Sequence, residues 1–324
     1  MRNDLRELVE TLRAYPGVSR KRAIGEVMRA LEGVTDFGRT LRGPGDDAAV
    51  LQASGKGFLL LATDGILPSL VAHAPREAGR AGVLVNANDI YAMGGRPIAM
   101  VNTLAGLSGR PLQEVLSGIR EECLRLRIPM VGGHLIAEEG STCLVVSVLG
   151  EAKALLPGSG ARPGQALVLA VDLDGRRWGD FILNWDSHYR KTSEKLSGDL
   201  EVMVGLAEDG ICSAARDVSM CGILGTIAVL LEASGVGGEV DLDAIEVPQG
   251  ISAEDWYRVY PSYGFVLAAE KRYAAECLAR FRDRGIWAGE IGQVGNGTKL
   301  AVRSRGETEV LYDFSTDSIL DQRR

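Results

Sequence analysis

Four short acidic segments carry the chemistry this chain could do. They are Gly43-Pro44-Gly45-Asp46-Asp47-Ala48-Ala49-Val50, Thr63-Asp64-Gly65, Asn86-Ala87-Asn88-Asp89, and Asp217-Val218-Ser219. Each places a carboxylate at the edge of an apolar stretch. Two bare carboxylates ~4 Å apart repel by roughly 4 kcal/mol at an effective dielectric of 20. A fold that gathered three or four of them would raise their pKa values strongly unless cations intervened. Mg²⁺ shared between protein carboxylates and a polyphosphate would supply such cations.

Taken singly, each segment has a plainer reading. Asp46 and Asp47 also suit a solvated turn; in a strand they would point to opposite faces, so only one need meet a ligand. Asp64 ends the compact apolar run Phe58-Leu59-Leu60-Leu61-Ala62 and suits either a functional sheet edge or a turn cap. Asn86 and Asp89 are three apart on a predicted helix and share a face. The helix around them is small and apolar, so a charged Asp89 needs a partner, a metal or a proton. The P-loop pattern, the kinase glycine loop and the GxSxG elbow are absent.

The elements that must position these groups follow from periodicity. Helices are expected over 3–14, from Ser19 onward with Ile24, Val27, Met28 and Leu31 on one face, and over 76–93, 112–126, 201–207, 223–234 and 272–284. Strands are expected at 47–52, 57–63, 97–104, 128–131, 143–150, 166–171, 264–269, 290–294 and 298–303, with 310–312 as a further candidate. Residues 33–45 read as a loop, Gly94-Gly95 as a helix stop, and 175–200 as a polar stretch without an assignment. Pro157-Gly158-Ser159-Gly160 and Pro163-Gly164 mark the domain boundary, giving units 1–156 and 157–324. Interleaved strands and helices in both halves predict α/β or α+β layers.

Composition bounds the partners. The 324 residues carry a net charge of −7, with 46% hydrophobic and 24% charged residues, an ordinary globular balance that predicts no nucleic-acid or anionic-membrane partner. Met1–Leu12 has no signal-peptide core, and no apolar run nears the ~20 residues that span a bilayer. The five cysteines, odd in number and without CxxC spacing, fit reduced thiols in a cytoplasmic protein.

The chain resembles the superfamily of aminoimidazole ribonucleotide synthetase, selenophosphate synthetase, thiamine-monophosphate kinase and the hydrogenase-maturation protein HypE. The resemblance covers about residues 20–303. It rests on Gly45 through Val50, Thr63-Asp64, Asn86 through Gly95 followed by Pro97, Gly132-Gly133-His134, and Asp217 through Gly225. It implies a two-domain PurM-like fold, with an N-terminal sheet domain forming a dimer barrel and a C-terminal α/β sandwich. It also implies a homodimer with ATP in a cleft and Mg²⁺ on Asp46 or Asp47, Asp64, Asp89 and Asp217. Gly45, Asp46, Thr63, Asn86, Gly132 and Gly133 would bind the nucleotide, His134 would serve as acid/base or substrate contact, and His73 would line the substrate side. The implied activity is phosphoryl transfer from ATP to a small acceptor, with thiamine-monophosphate kinase or a non-catalytic nucleotide-binding subunit as alternatives. Departures mark this sequence. No cysteine precedes Asp46, Lys21 lies in a predicted helix rather than a glycine-rich loop, and His134 and Met220 stand where the kinase has acidic residues. His188 has no assigned role, and Cys221 reads as a packed small residue.

Overall fold

A computed structural model describes residues 5–136, 140–178 and 181–320. The first half is a six-stranded sheet of β1 (Thr40–Arg42), β2 (Ala49–Gln52), β3 (Phe58–Ile66), β4 (Arg96–Ala105), β5 (Met130–Ile136) and β6 (Cys143–Ala152), in the order β1-β2-β3-β6-β4-β5. The chain begins with α1 (Leu5–Arg13), α2 (Pro16–Ser19) and α3 (Arg22–Ala30). The sheet connections carry α4 (Pro68–His73), α5 (Pro75–Ala92) and α6 (Gly109–Leu126). Helices α5 and α6 lie together on one face of the sheet. Their backbones meet at Gly79 and Gly118, where an added Cβ would come within 2.1 Å of Val115 O and 1.8 Å of Arg76 O respectively.

The second half holds a seven-stranded sheet of order β10-β13-β7-β14-β11-β15-β16. Its strands are β7 (Ala166–Val171), β10 (Cys212–Asp217), β11 (Gly237–Asp241), β13 (Gly264–Ala269), β14 (Trp287–Gly295), β15 (Lys299–Ser304) and β16 (Glu307–Asp313). A three-stranded flap adds β8 (Arg176–Trp178), β9 (Phe181–Asp186) and β12 (Tyr260–Pro261). Helices α7 (Ser193–Glu208) and α10 (Ala274–Arg282) pack on one face of the large sheet, and α8 (Gly222–Ala233) on the other; α9 (Ala253–Arg258) packs against α8. Every residue of β7 and of β13 is buried, as a sheet covered on both faces requires. The layers are those of a mixed α/β protein built on two sheets.

Several elements differ from their sequence expectation for physical reasons. Leu5, Val9 and Leu12 of α1 pack into the core of the second half, and Arg13 donates to the carbonyl of Leu311 at 2.7 Å. Helix α3 buries only Gly25 and leaves Val27 and Leu31 exposed, while Ile24 turns toward the acidic cavity described below. Gly132-Gly133-His134 continues β5, because parallel pairing with β4 outweighs the glycines' preference for turns. Helix α7 starts at Ser193, eight residues before the expected 201. Thr192 caps it by accepting from Lys195 N at 3.2 Å, and Asp199 within it is neutralised by Lys195 at 2.6 Å and Arg284 at 3.1 Å.

Candidate functional site

Each acidic segment reaches the seam between the two sheets by its own local route. Asp46 and Asp47 sit in the turn before β2, and Asp64 near the end of β3. Asp89 lies one turn before the end of α5, which stops where Gly94 (φ +80°) turns out of the helix and Gly95 N donates back to Ile90 O at 3.0 Å. Asp217 ends β10, and the chain then turns through Ser219 into α8. These carboxylates, with Gly45 and Thr63, line one cavity of about 220 Å³. An adjoining recess of about 230 Å³, lined by Arg42, Pro44 and Ser159, shares Gly45 and Asp46 with it.

Two cations line the same cavity: Arg216, which sequence reasoning passed over, and Lys21, which it placed inside a helix and away from any site. Arg216, with its side chain 8% exposed, places Nη1 2.6 Å from Asp47 Oδ1, donates to the carbonyl of Gly45 and lies 3.9 Å from Asp46. Lys21 stands immediately before α3, making no side-chain cap, and faces Asp47 and Asp217. Burial works against its ammonium, but Cys221, Asp217 and Asp47 outweigh that and hold its pKa above the ordinary value.

The carboxylates remain under-compensated. Displacement of water by the surrounding protein, then repulsion from Asp217, Asp64 and Asp47, drives the Asp89 pKa well above its ordinary value. Burial and Asp47 push Asp217 up to about 8. Burial also raises Asp47 against the pull of Arg216 and Lys21, and its Oδ2 has no hydrogen-bond partner among the described residues. Hard oxygen donors that resist ionising together and leave a buried oxygen unpartnered are the donor set a hard divalent cation takes. Among the described residues no three His, Cys, Asp or Glu side chains are already arranged to hold a metal ion. The residues therefore fit Mg²⁺ as partial ligands, with phosphate oxygens and water completing its shell.

The remaining residues named from the sequence lie elsewhere. Asn86 is fully buried, donating to Gly82 O at 2.8 Å and accepting from Asp64 N at 3.1 Å, so it fixes the backbone that carries Asp64. Gly132, Gly133 and His134 are on the exposed edge strand β5 and do not line the acidic cavity. Gly133 faces Asn102 of β4, whose side chain and carbonyl would lie 2.6–2.7 Å from an added Cβ. His73 ends α4, exposed, with Nδ1 2.7 Å from Ser69 O, and does not line the acidic cavity either. Cys221 is buried at the cavity wall, 3.4 Å from Thr226 Oγ1. The signal for Arg216 was a cation directly before Asp217 in the otherwise uncharged run from Ile211 to Val218; Lys21 was expected inside a helix, and the structure puts it at the break between α2 and α3.

The acidic cavity sets a pH dependence. Asp217 titrates near 8 in the native state against 3.8 as its ordinary value. Across that interval the folded chain holds a proton the unfolded chain has lost, so stability of the ligand-free protein falls as pH rises. Asp89 adds the same sign. Buried His188, its pKa lowered well below 6.5, contributes the opposite slope only on the acid side of 6.5. Melting temperatures from about pH 7 to about 8.5 should therefore decline, less steeply in Asp217→Asn; equal slopes would contradict the assignment.

A two-domain α/β fold with an acidic, partly cation-balanced cavity at its seam defines the class, and the comparisons agree. Family models for the AIR synthase related protein match its N-terminal domain over residues 45–152 and its C-terminal domain over 162–305. The chain is 36% identical over 275 residues to an uncharacterised protein of Synechocystis sp., covering 85% of each chain. It is 25% identical over 326 residues to the selenide, water dikinase of Carboxydothermus hydrogenoformans, covering 86% of this chain and 93% of that one. Among solved structures, AaThiL complexed with AMPPCP and TMP superposes with a TM-score of 0.67 at 19% identity, covering 88% of this chain and 93% of that one. T. maritima PurL complexed with AMPPCP gives 0.72 at 17% identity, covering 95% of this chain; the chain spans about half (53%) of that protein's length. The chain belongs to the AIR synthase related family, within the PurM-like superfamily whose members include users of ATP. No helix among the described residues is long and apolar enough to cross a membrane.

Proposed function

We propose that this protein is an ATP- and Mg²⁺-dependent phosphotransferase that passes the γ-phosphoryl group to a small acceptor. One observation carries the reading: carboxylates from four segments separated by up to about 170 residues line a single cavity together with Lys21 and Arg216. Asp47, Asp89 and Asp217, flanked by Asp46 and Asp64, would hold Mg²⁺, which when bound offsets the charge of the phosphates. Lys21 faces the same space and can meet a γ-phosphate oxygen as a point charge. Arg216 holds the Gly45–Asp47 turn against the end of β10 and so fixes the spacing of Asp47 and Asp217. The acceptor's lone pair forms the bond to phosphorus as the bond to the β-phosphate oxygen breaks. ADP leaves with that electron pair and the acceptor's proton passes to solvent. The protein contributes positioning and fixed charge.

The same reading includes a homodimer. The face of the first sheet opposite α5 and α6 carries Leu61, Val101, Ile136 and Leu149, each 38–47% exposed and aligned by strand register. An exposed sheet face of this kind, with Thr63, Thr103 and Ser147 between the apolar residues, suits burial against a second copy. Gly132 and His134 share that face, so a dimer would cover them. Sedimentation should give a dimer for the wild type and a monomer for Val101→Arg; a monomeric wild type would contradict it.

Turnover is tested by following ADP formation from ATP and Mg²⁺ with a pool of small metabolites as acceptors. Asp64→Asn should lower the rate about 100-fold, equivalent to ~2.7 kcal/mol in the barrier. An unchanged rate in Asp64→Asn would remove that residue from the site, and binding of ATP without turnover on any acceptor would favour a nucleotide-binding subunit instead.

A further inference from the structure

A second cavity, of about 170 Å³, lies between α5 and the β8–β9–β12 flap, and Asp64 lines both it and the acidic cavity. We infer that this second cavity holds the phosphoryl acceptor, and that the acceptor is a compact, single-ring molecule bearing N–H donors and no phosphate of its own. The inference rests on the nucleotide reading of the acidic cavity and adds the chemical class of the second substrate.

Size comes first. A cavity of ~150 Å³ accommodates one benzene ring. Ile66, Leu70, Leu84 and Tyr260 supply apolar walls suited to a ring. Polar demand comes second. Asp186 and His188 line the cavity and are only 6% and 7% exposed, yet Asp186 Oδ1 and both ring nitrogens of His188 lack hydrogen-bond partners among the described residues. His188 Nδ1 and Asp186 Oδ1 are 3.1 Å apart without forming an aligned hydrogen bond. Buried polar atoms in native proteins are almost always paired, and an unpaired carboxylate oxygen calls for a donor. Burial, then Arg80 and Arg125, keeps His188 neutral, so its ring can donate from one nitrogen and accept at the other.

Charge excludes a phosphate. Arg80 is the one cation among the lining residues, and it is already committed to Glu77 at 3.0 Å and Glu122 at 3.2 Å. With Asp186 and Glu77 at the same wall, a phosphate dianion would meet carboxylates, and Arg176, 3.4 Å from Asp186 Oδ2, is not among the lining residues. An acceptor built like thiamine monophosphate is therefore disfavoured, and an amino- or amidino-substituted ring is favoured.

The probes are benzamidine, 2-aminopyrimidine and phenyl phosphate, measured by ligand-observed NMR on the full chain. The two N–H-bearing rings should bind and phenyl phosphate should not. Asp186→Asn should weaken benzamidine about tenfold, and Leu84→Trp, which fills the cavity, should abolish its binding. Both variants must retain the thermal shift that Mg²⁺ and AMPPCP give the wild type, which shows that they fold; if Leu84→Trp does not, Asp186→Asn decides alone. Binding of phenyl phosphate in preference to benzamidine, or benzamidine binding unchanged in Asp186→Asn, overturns the inference. If AMPPCP binds while neither ring does, the inference fails and the nucleotide reading stands. If the rings bind as expected and AMPPCP does not, the ring cavity stands and the nucleotide reading fails.

Discussion

Asp89→Asn should raise the melting temperature of the ligand-free protein and at the same time remove the stabilisation by ATP and Mg²⁺. Both effects come from one source. Asp89 is crowded by Asp217, Asp64 and Asp47, and burial adds to the cost of its charge. The neutral amide relieves that cost in the empty protein. In the liganded protein the same charge becomes an asset, because a divalent cation and its phosphates offset it. With ligand at a hundredfold excess over Kd, the wild type should gain ~2.7 kcal/mol, about 5 °C for a chain of this length. Differential scanning fluorimetry reads both numbers. A variant less stable when empty, or one that keeps the full nucleotide shift, would count against the placement of Asp89 in a cation site.

Arg216→Met should be strongly destabilising, by about 3–5 kcal/mol, and Asp47→Asn should restore more than half of the loss when added to it. The Arg216 side chain is 8% exposed and those of Asp46 and Asp47 are 6% and 8% exposed. Removing the cation leaves two carboxylates out of water beside Asp217 with only Arg42, 3.4 Å from Asp46, and Lys21 near them among the described residues. Removing one carboxylate as well relieves the imbalance. Chemical denaturation of the four corners of this cycle measures the coupling. Additive effects, with no recovery in the double variant, would show that Arg216 acts through packing rather than charge.

Much of the fold could be read from local pattern. The apolar run ending at Asp64 became β3, and the small-residue helix carrying Asn86 and Asp89 became α5, ending at Gly94 as expected. These elements announce themselves because periodicity and stop signals are local. The acidic segments converge as the sequence suggested, but the cations first met there are the chain's own. Arg216 and Lys21 depend on strand register and on a helix break, which a single sequence does not display. The family resemblance implied a ligand role for Gly132-Gly133-His134; pairing with β4, a long-range property, instead holds them in an exposed edge strand away from the acidic cavity. The stretch 175–200 resisted assignment because its charges, among them Lys195 and Asp199, neutralise one another in space. It supplies His188 and Asp186, whose unsatisfied atoms appear only once the flap closes over α5.

The central claim is that the acidic cavity exchanges protons for a divalent cation and a polyphosphate. Calorimetric titration of AMPPCP into the wild-type chain near pH 7, with Mg²⁺ and again with EDTA, in two buffers of different ionisation enthalpy, tests it most directly. Asp217, pushed up to about 8, holds its proton at that pH and must give it up as a ligand. One site per chain, release of at least about one proton on binding with Mg²⁺, and binding at least about tenfold weaker with EDTA are expected. Equal affinity in EDTA with no proton released, or no binding in either medium, would contradict the account.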